Sequence, residues 1–382
     1  MNLFSDEDLV YDDNPQEDDI GYAPALEDPV SELCAPALMD FCLGHEHIEN
    51  QFLDLYRKDK MPHAVVFSGD QGIGKTTFAF RLARFLLKNS KDSNQAQDAL
   101  FGAEEIEPDV KSLHVARDDP VFSRIASGGH ADLLHIKRDE GNNALRVDEV
   151  RGIEKFLRKT SSEGGYRIVI IEDSDTMNRN AQNAILKILE EPPKKVLLLL
   201  IAHRSGMLIP TIRSRVRFFE FKPLSDEIVL DILRKEGKTL SEKEQRRLLT
   251  YASGSISKAL SFTDDGGLEM LSEILNHIES MDQTALHKFS QSISGKGQEK
   301  SYYLFVDIIQ WVFRVLLSAK ARGDYSALEN FNHDSMTKTL NEYSLEKLIG
   351  ISSKLRDHFQ SVDFSNLDKR DAVRQAFLMI SQ

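Results

Sequence analysis

The sequence predicts an α/β fold in its first part and an all-helical fold in its last part. Three runs have the length and near-continuous hydrophobicity of buried strands: AVVF (64–67), RIVII (167–171) and VLLLLIA (196–202). Helical patterns separate these runs, and strands that alternate with helices favour a parallel sheet covered on both faces. After Pro223 the strand patterns stop and only helical patterns follow.

The remaining elements fit this order. Two shorter runs, DLLHI (132–136) and VRFFEF (216–221), are strand-like. Amphipathic helices are predicted for 47–60, 78–86, 147–160 and 181–190. Pro192 and Pro193 prevent the last of these helices from continuing. Residues 301–320 are apolar nearly all round, which is typical of a helix packed inside a bundle, and residues 89–110 read as a polar loop.

The acidity of the chain is concentrated at its N-terminus. Residues 1–42 contain twelve acids and no Lys or Arg, so they account for nearly all of the net charge of −13. They also carry four prolines and few large apolar residues. Such a segment cannot bury enough surface to offset its ordering entropy, and we expect an acidic disordered tail over 1–42.

Bulk properties exclude several classes of protein. No apolar run approaches the 18 or more residues of a membrane span, so no membrane partner is expected. The N-terminus has neither the basic nor the apolar region of a secretory signal. Cys34 and Cys42 are too few for a disulfide framework or a cysteine-rich zinc site. The sequence therefore predicts a cytoplasmic protein.

The segment GDQGIGKT (69–76) carries the most specific chemistry, since it is a complete phosphate-binding loop between a strand and a helix. Its glycines let the backbone N–H groups turn toward phosphate oxygens: Gly69, Gly72 and Gly74. Lys75 is expected to reach the β- and γ-phosphates, and the hydroxyl of Thr76 to bind Mg²⁺. With Thr77 behind them, these residues form the predicted site for ATP and Mg²⁺.

Two acids follow the predicted strand RIVII (167–171), at the position where nucleotide sites of this kind carry a catalytic carboxylate pair. Glu172 precedes Asp173, whereas the usual order is Asp, for the metal, and then Glu, for the attacking water. Each side chain therefore differs by one methylene from the length its position needs. Because catalytic geometry tolerates errors of only about 1 Å, we expect a degenerate pair and doubtful hydrolysis.

Longer segments resemble a known family. NRNAQNAILKILEEPP (178–193), TIRSR (211–215) and the stretches 43–69 and 128–153 are similar to the nucleotide domain of bacterial DNA polymerase III clamp-loader subunits, of the AAA+ class. Within that family the pattern is closest to the delta-prime type, particularly that of alphaproteobacteria. The resemblance implies an AAA+ nucleotide-binding core (43–222), a helical lid (223–274) and an all-helical collar for oligomerisation (275–382).

The same resemblance implies roles for single residues. Arg215 matches the family's arginine finger, which acts in trans on a neighbouring subunit's γ-phosphate; Val216 follows it where the family usually has Cys. Ser257 stands where active subunits carry a phosphate-sensing arginine. His203, with Ala202, stands near the place of a sensing Thr or Asn. The four-cysteine zinc module of many relatives is missing from 77–166, so no zinc is predicted.

Three functions remain open on the sequence. The first is a stator-like clamp-loader subunit with little ATPase of its own, which would partner the ATPase subunits and a delta-type subunit. It would contact the sliding clamp and primer-template DNA through the complex. The second is an active AAA+ motor subunit, which the intact phosphate-binding loop favours. The third is a P-loop scaffold protein outside replication that uses its acidic tail for binding.

Overall fold

The computed structural model of the protein describes residues 35–89, 111–138, 145, 147–280, 282–295, 297–325, 328, 343–365 and 367–381. Most of the predicted acidic tail (1–34) and most of the predicted polar loop (90–110) lie outside the described residues. Among the described residues, no helix has the length and apolarity that crossing a bilayer requires.

One parallel sheet organises the first part of the chain. Its five strands are β1 (Ala64–Ser68), β2 (Leu133–Ile136), β3 (Arg167–Ile171), β4 (Val196–Ala202) and β5 (Arg217–Glu220). They lie in the order β2-β3-β4-β1-β5, and every pairing is parallel. The predicted α/β class with a parallel sheet is confirmed, and each strand lies within one residue of its predicted position.

The described residues of this part also form the helices α1 (Glu46–Arg57), α2 (Lys75–Asn89), α3 (Pro120–Ala126), α4 (Val147–Leu157), α5 (Arg179–Ala184), α6 (Leu186–Glu190) and α7 (Pro210–Arg213). The predicted single helix 181–190 is in fact two short helices, α5 and α6. The side chain of Asn178 caps α5 by accepting from the N–H of Ala181, and the buried Ile185 lies at the break.

Side chains from both faces of the sheet form separate cores. On one face, the rings of Phe52 and Phe219 stack with centroids 4.4 Å apart, and Phe67 and Phe78 pack edge-on beside them. On the other face, Val169 and Leu198 pack against α4, α5 and α6. Because both faces are covered, the phosphate-binding loop after β1 is fixed at the edge of a rigid layer.

The last part of the chain is helical among its described residues. Its helices are α8 (Asp226–Lys235), α9 (Glu242–Ala252), α10 (Ile256–Asp264), α11 (Gly267–Ser280), α12 (Gln283–Ile293), α13 (Glu299–Arg322), α14 (Leu345–Ser365) and α15 (Lys369–Ser381). They share one apolar core that runs from Leu224 to Ile380. The predicted boundary between lid and collar at residue 274 falls inside α11. This helix packs against α10 on the lid side and against α12, α13 and α15 on the collar side.

Residues 35–42, which we call the N-terminal strap, correct the predicted extent of the tail. The guanidinium of Arg84 on α2 donates to the carbonyl oxygens of Met39 (2.7 Å) and Ala37 (3.1 Å). It also lies over the ring of Phe122, 4.4 Å from the centroid. Arg84 is almost fully buried, and burial lowers its pKa to about 10. The strap is ordered because its carbonyls satisfy this buried cation.

Candidate nucleotide-binding site

The phosphate-binding loop has the backbone that its glycines predict. Gly69, Gly72 and Gly74 adopt φ values of 142°, 75° and 99°, which side chains disfavour. A Cβ on Gly69 would lie 2.3 Å from the carbonyl oxygen of Phe221, so only glycine fits where the loop leaves β1. The 15-residue helix α2 begins at Lys75 and directs its N-terminal N–H groups at the loop.

Lys75 is buried, and its ammonium is turned into the loop. Nζ donates to the carbonyl oxygens of Gly69 (2.7 Å) and Asp70, and it lies 3.0 Å from Nδ1 of His203. An ammonium has three N–H donors and no acceptor. Nδ1 of His203 is therefore the acceptor in its contact with Lys75.

His203 connects Lys75 to the acids that follow β3. Its Nε2 lies 2.8 Å from Oδ1 of Asp173, and since Nδ1 accepts from the ammonium, Nε2 carries the proton and donates. The backbone N–H of His203 donates to Oδ1 of Asp175 (3.1 Å), which fixes the start of the loop after β4. Lys75, His203 and Asp173 thus form a continuous hydrogen-bonded bridge across the pocket, which we call the histidine bridge.

Asp173 sits in an unusual backbone conformation, with φ 48° and ψ 38°. Its second oxygen, Oδ2, lies 3.8 Å from Nε of the buried Arg138. Burial acts to raise the pKa of Asp173, but the hydrogen bond from His203 and the charge of Arg138 outweigh it and hold that pKa below its usual value. The carboxylate is therefore ionised and contacted on both oxygens.

Glu172 faces a different neighbour from Asp173. Its Oε1 lies 2.6 Å from Nε2 of His135 on β2, whose ring packs edge-on against Phe80. The two acids that the sequence places side by side are thus divided between two histidines. A pair acting together on metal and water would need both carboxylates on one centre.

Thr76 and Thr77 lie half-buried in the first turn of α2, directly behind Lys75. This placement suits the predicted role of Thr76 toward Mg²⁺, which stays a prediction. Among the described residues, no group of three or more His, Cys, Asp or Glu is arranged to hold a metal ion. The glycine loop, the helix N-terminus and Lys75 fit the phosphates of a nucleotide, provided that Lys75 exchanges one of its present partners.

Arg215 follows α7 at the start of the segment that becomes the edge strand β5. Its side chain is about a third exposed, and Nη2 lies 3.0 Å from Oε1 of Glu190 on α6. Nη1 donates to the carbonyl oxygen of Thr211 (3.0 Å) and to Oγ of Ser214 (3.2 Å). These contacts hold the guanidinium at the surface, and in the described part of the chain none of its contacts is with the phosphate-binding loop.

Comparison with known proteins shows which proteins this chain is similar to. The family described as "DNA polymerase III, delta subunit" matches residues 44–225, which is nearly the whole sheet domain. A DNA polymerase III subunit delta' from Pseudomonas aeruginosa is 43% identical over 153 residues, 40% of this chain. The delta' subunit of Bacillus subtilis is 25% identical over 337 residues, 85% of this chain. The sheet domain of this chain is thus similar to delta-type and delta' subunits of DNA polymerase III.

The coverage of these relatives differs. The aligned segment spans 41% of the Pseudomonas protein, less than half of its length, and 92% of the Bacillus protein. A crystal structure of a DNA polymerase III gamma subunit-related protein from Thermotoga maritima is 17% identical, with a TM-score of 0.45 over 87% of this chain and 98% of that one.

Ser257, in the predicted lid, lies beside the phosphate-binding loop. The backbone N–H of Ser257, next to the N-terminus of α10, donates to the carbonyl oxygen of Gly72 (3.2 Å). Gly254, with φ 82°, lies where a Cβ would be 2.7 Å from the carbonyl oxygen of Leu224. Ser257 thus brings a short, uncharged side chain next to the phosphate-binding loop.

Sequence reasoning missed three residues of the site. His203 was noted only as a departure from the sensing residue, whereas it forms the centre of the histidine bridge. Arg138 lies just after β2 and carried no motif. His45 lies before α1, and its Nε2 is 2.7 Å from the carbonyl oxygen of Ile73 in the loop. Their shared signal is position, since each follows a strand or precedes a helix at the same edge of the sheet.

Proposed function

We propose that this chain is a clamp-loader subunit that supplies Arg215 in trans to a neighbouring ATPase subunit and hydrolyses little ATP itself. The observation that carries the proposal is the placement of Arg215: its guanidinium is about a third exposed and contacts Thr211, Ser214 and Glu190, and none of these contacts is with the chain's own phosphate-binding loop. A permanently charged, forked group in such a place suits the stabilisation of charge on a γ-phosphate that another subunit presents.

The chain's own pocket supports the second half of the proposal. Glu172 is paired with His135 and Asp173 with His203, so the two carboxylates are engaged by different partners and are not directed at one centre. Ser257 offers no positive charge for the transferring phosphate. A nucleotide could be bound by the loop and Lys75, with Mg²⁺ at Thr76, while the groups that lower the barrier to hydrolysis are diverted.

The proposed partners are the ATPase subunits and a delta-type subunit of the loader, with the sliding clamp and primer-template DNA engaged through the complex. The helical part provides apolar surface for such an assembly. Leu345 and Ile349 lie one turn apart on α14 and are 37% and 54% exposed. Exposed apolar residues at this spacing suit packing against a neighbouring helix. A cytoplasmic location follows from this role.

Reconstitution tests the proposal. We expect the full-length chain to co-purify with the ATPase and delta-type subunits and to restore clamp loading onto primed DNA. Alone, it should show little steady-state ATP hydrolysis. Failure to co-assemble would favour a scaffold outside replication, and rapid turnover by the isolated chain, abolished by Lys75→Ala, would favour an active motor subunit.

A further inference from the structure

His203 links the two charged groups that a nucleotide would need. Lys75 donates to Nδ1 of His203 at 3.0 Å, and Nε2 of the same ring donates to Asp173 at 2.8 Å. The imidazole is therefore saturated on both sides. It is also well shielded, with about a fifth of its side chain exposed.

A phosphate oxygen that binds Lys75 competes with the acceptors that the ammonium already has. Two of them, the carbonyl oxygens of Gly69 and Asp70, belong to the loop backbone. Another is the side chain of His203, which can rotate about its own bonds. His203 is therefore a side-chain partner that competes directly with a phosphate for Lys75.

Displacement has a second cost at Asp173. When the ring rotates away, the carboxylate loses a hydrogen bond while it remains mostly buried, with Arg138 3.8 Å from its other oxygen. Removing one partner of a buried charged group is more costly than the net value of a hydrogen bond. The bridge thus opposes nucleotide binding through both of its ends.

We propose that His203 is a positioning residue that occupies Lys75 and thereby sets a low affinity of this pocket for nucleoside triphosphates. The inference rests on the nucleotide pocket of the proposed function and on no property of Arg215. It gives a reason why a complete phosphate-binding loop belongs to a subunit with little turnover: its lysine is already engaged within the chain.

Binding of ATP with Mg²⁺ to the full-length chain, measured by calorimetric titration, tests this proposal. His203→Ala should lower Kd about tenfold, the factor expected for removing one competing hydrogen bond to a charged group. His287→Ala, which changes an exposed histidine on α12, should leave Kd unchanged. A Kd that is unchanged or higher in His203→Ala would overturn the proposal and indicate that the imidazole assists binding.

A double-mutant cycle separates competition for Lys75 from a general effect on the fold. In a Lys75→Ala background, His203→Ala should give no further gain in affinity, because the lysine that the imidazole occupies is gone. An equal gain in both backgrounds would also overturn the proposal. His203→Asn, too short to span both partners, gives the same comparison if the alanine variant folds poorly. All of these measurements use the isolated chain, so they stay separate from assembly and from Arg215.

Discussion

Oε1 of Glu190 lies 3.0 Å from Nη2 of Arg215 and holds the guanidinium over the C-terminal end of α6. Both side chains are substantially exposed, at 52% and 36%. A guanidinium that serves a neighbouring subunit must exchange this carboxylate for a phosphate. The pair therefore positions the guanidinium of Arg215 without holding it strongly.

Glu190→Ala is expected to change ATP hydrolysis by the reconstituted loader by no more than about fivefold, because an exposed ion pair is worth about 0–1 kcal/mol. The melting temperature should stay the same. Glu191→Ala, at the adjacent exposed acid, is the matched control. A loss of hydrolysis as large as that of an Arg215 variant would mean that Glu190 itself takes part in the reaction.

The N-terminal strap gives a prediction about truncation. Deleting residues 1–34 should leave the melting temperature unchanged, since that segment is too acidic and too poor in apolar residues to form a core. Deleting residues 1–40 removes the carbonyl acceptors of Arg84 and leaves a buried cation uncompensated. Such a loss costs about 3–5 kcal/mol.

Equilibrium denaturation of the two truncations measures this difference directly. Arg84→Met in the full-length chain is the complementary variant, because it removes the buried charge and keeps most of the side-chain volume. It should lose less stability than the 1–40 deletion. Equal stability of both truncations would contradict the role assigned to the strap.

His277 predicts a pH dependence of stability. It is buried between Phe289 and Phe377, and burial lowers its pKa below 6.5, although the nearby carboxylates of Glu273 and Asp282 act in the opposite direction. The folded state therefore binds the proton less readily than the unfolded state. This contribution to stability is complete above the unfolded pKa, near 6.5, and is lost as the pH falls below it.

His277→Leu should flatten the decline in the free energy of unfolding between pH 7.5 and the acid side of about 6.5. His287→Leu, at an exposed position on α12, should keep the slope of the unchanged protein. Urea denaturation across this pH range measures both slopes. An identical slope in His277→Leu would show that other groups cause the acid sensitivity.

Lys75→Ala tests how far the loader depends on this chain's own pocket. The proposal expects the reconstituted complex to keep its DNA-stimulated hydrolysis within about twofold, since the chemistry takes place in neighbouring subunits. The matched comparison is Lys75→Arg, which keeps the charge. A tenfold or larger loss in Lys75→Ala alone would place an essential ATP site in this chain.

Local sequence patterns predicted the fold of the sheet domain, but they predicted only part of the nucleotide-binding site. Apolar runs such as VLLLLIA fixed the strands because a strand covered on both faces must be apolar on both. The phosphate-binding loop Gly69–Thr76 was predicted from the sequence because its chemistry depends on one short segment. The histidine bridge was not, since Lys75 and His203 are 128 positions apart and meet only when β1 and β4 pair.

The strap shows the opposite error. Composition assigned residues 35–42 to a tail because, like the segment before them, they contain a proline and no Lys or Arg. The strap is held by contacts with another part of the chain. The guanidinium groups of Arg84 and Arg81 on α2 donate hydrogen bonds to backbone carbonyl oxygens of the strap. Because these hydrogen bonds use backbone carbonyls of the strap, the strap's own side chains do not indicate that Arg84 binds it.

The most direct test of the central claim is DNA-stimulated ATP hydrolysis by the reconstituted loader carrying Arg215→Ala, with assembly followed in parallel and Arg213→Ala as the neighbouring control. Loss of an arginine finger slows hydrolysis at the site it serves by about 10³-fold or more. We therefore predict an intact complex in which the hydrolysis served by Arg215 is lost, while Arg213→Ala keeps it. An unchanged rate in an assembled Arg215→Ala complex would contradict the account.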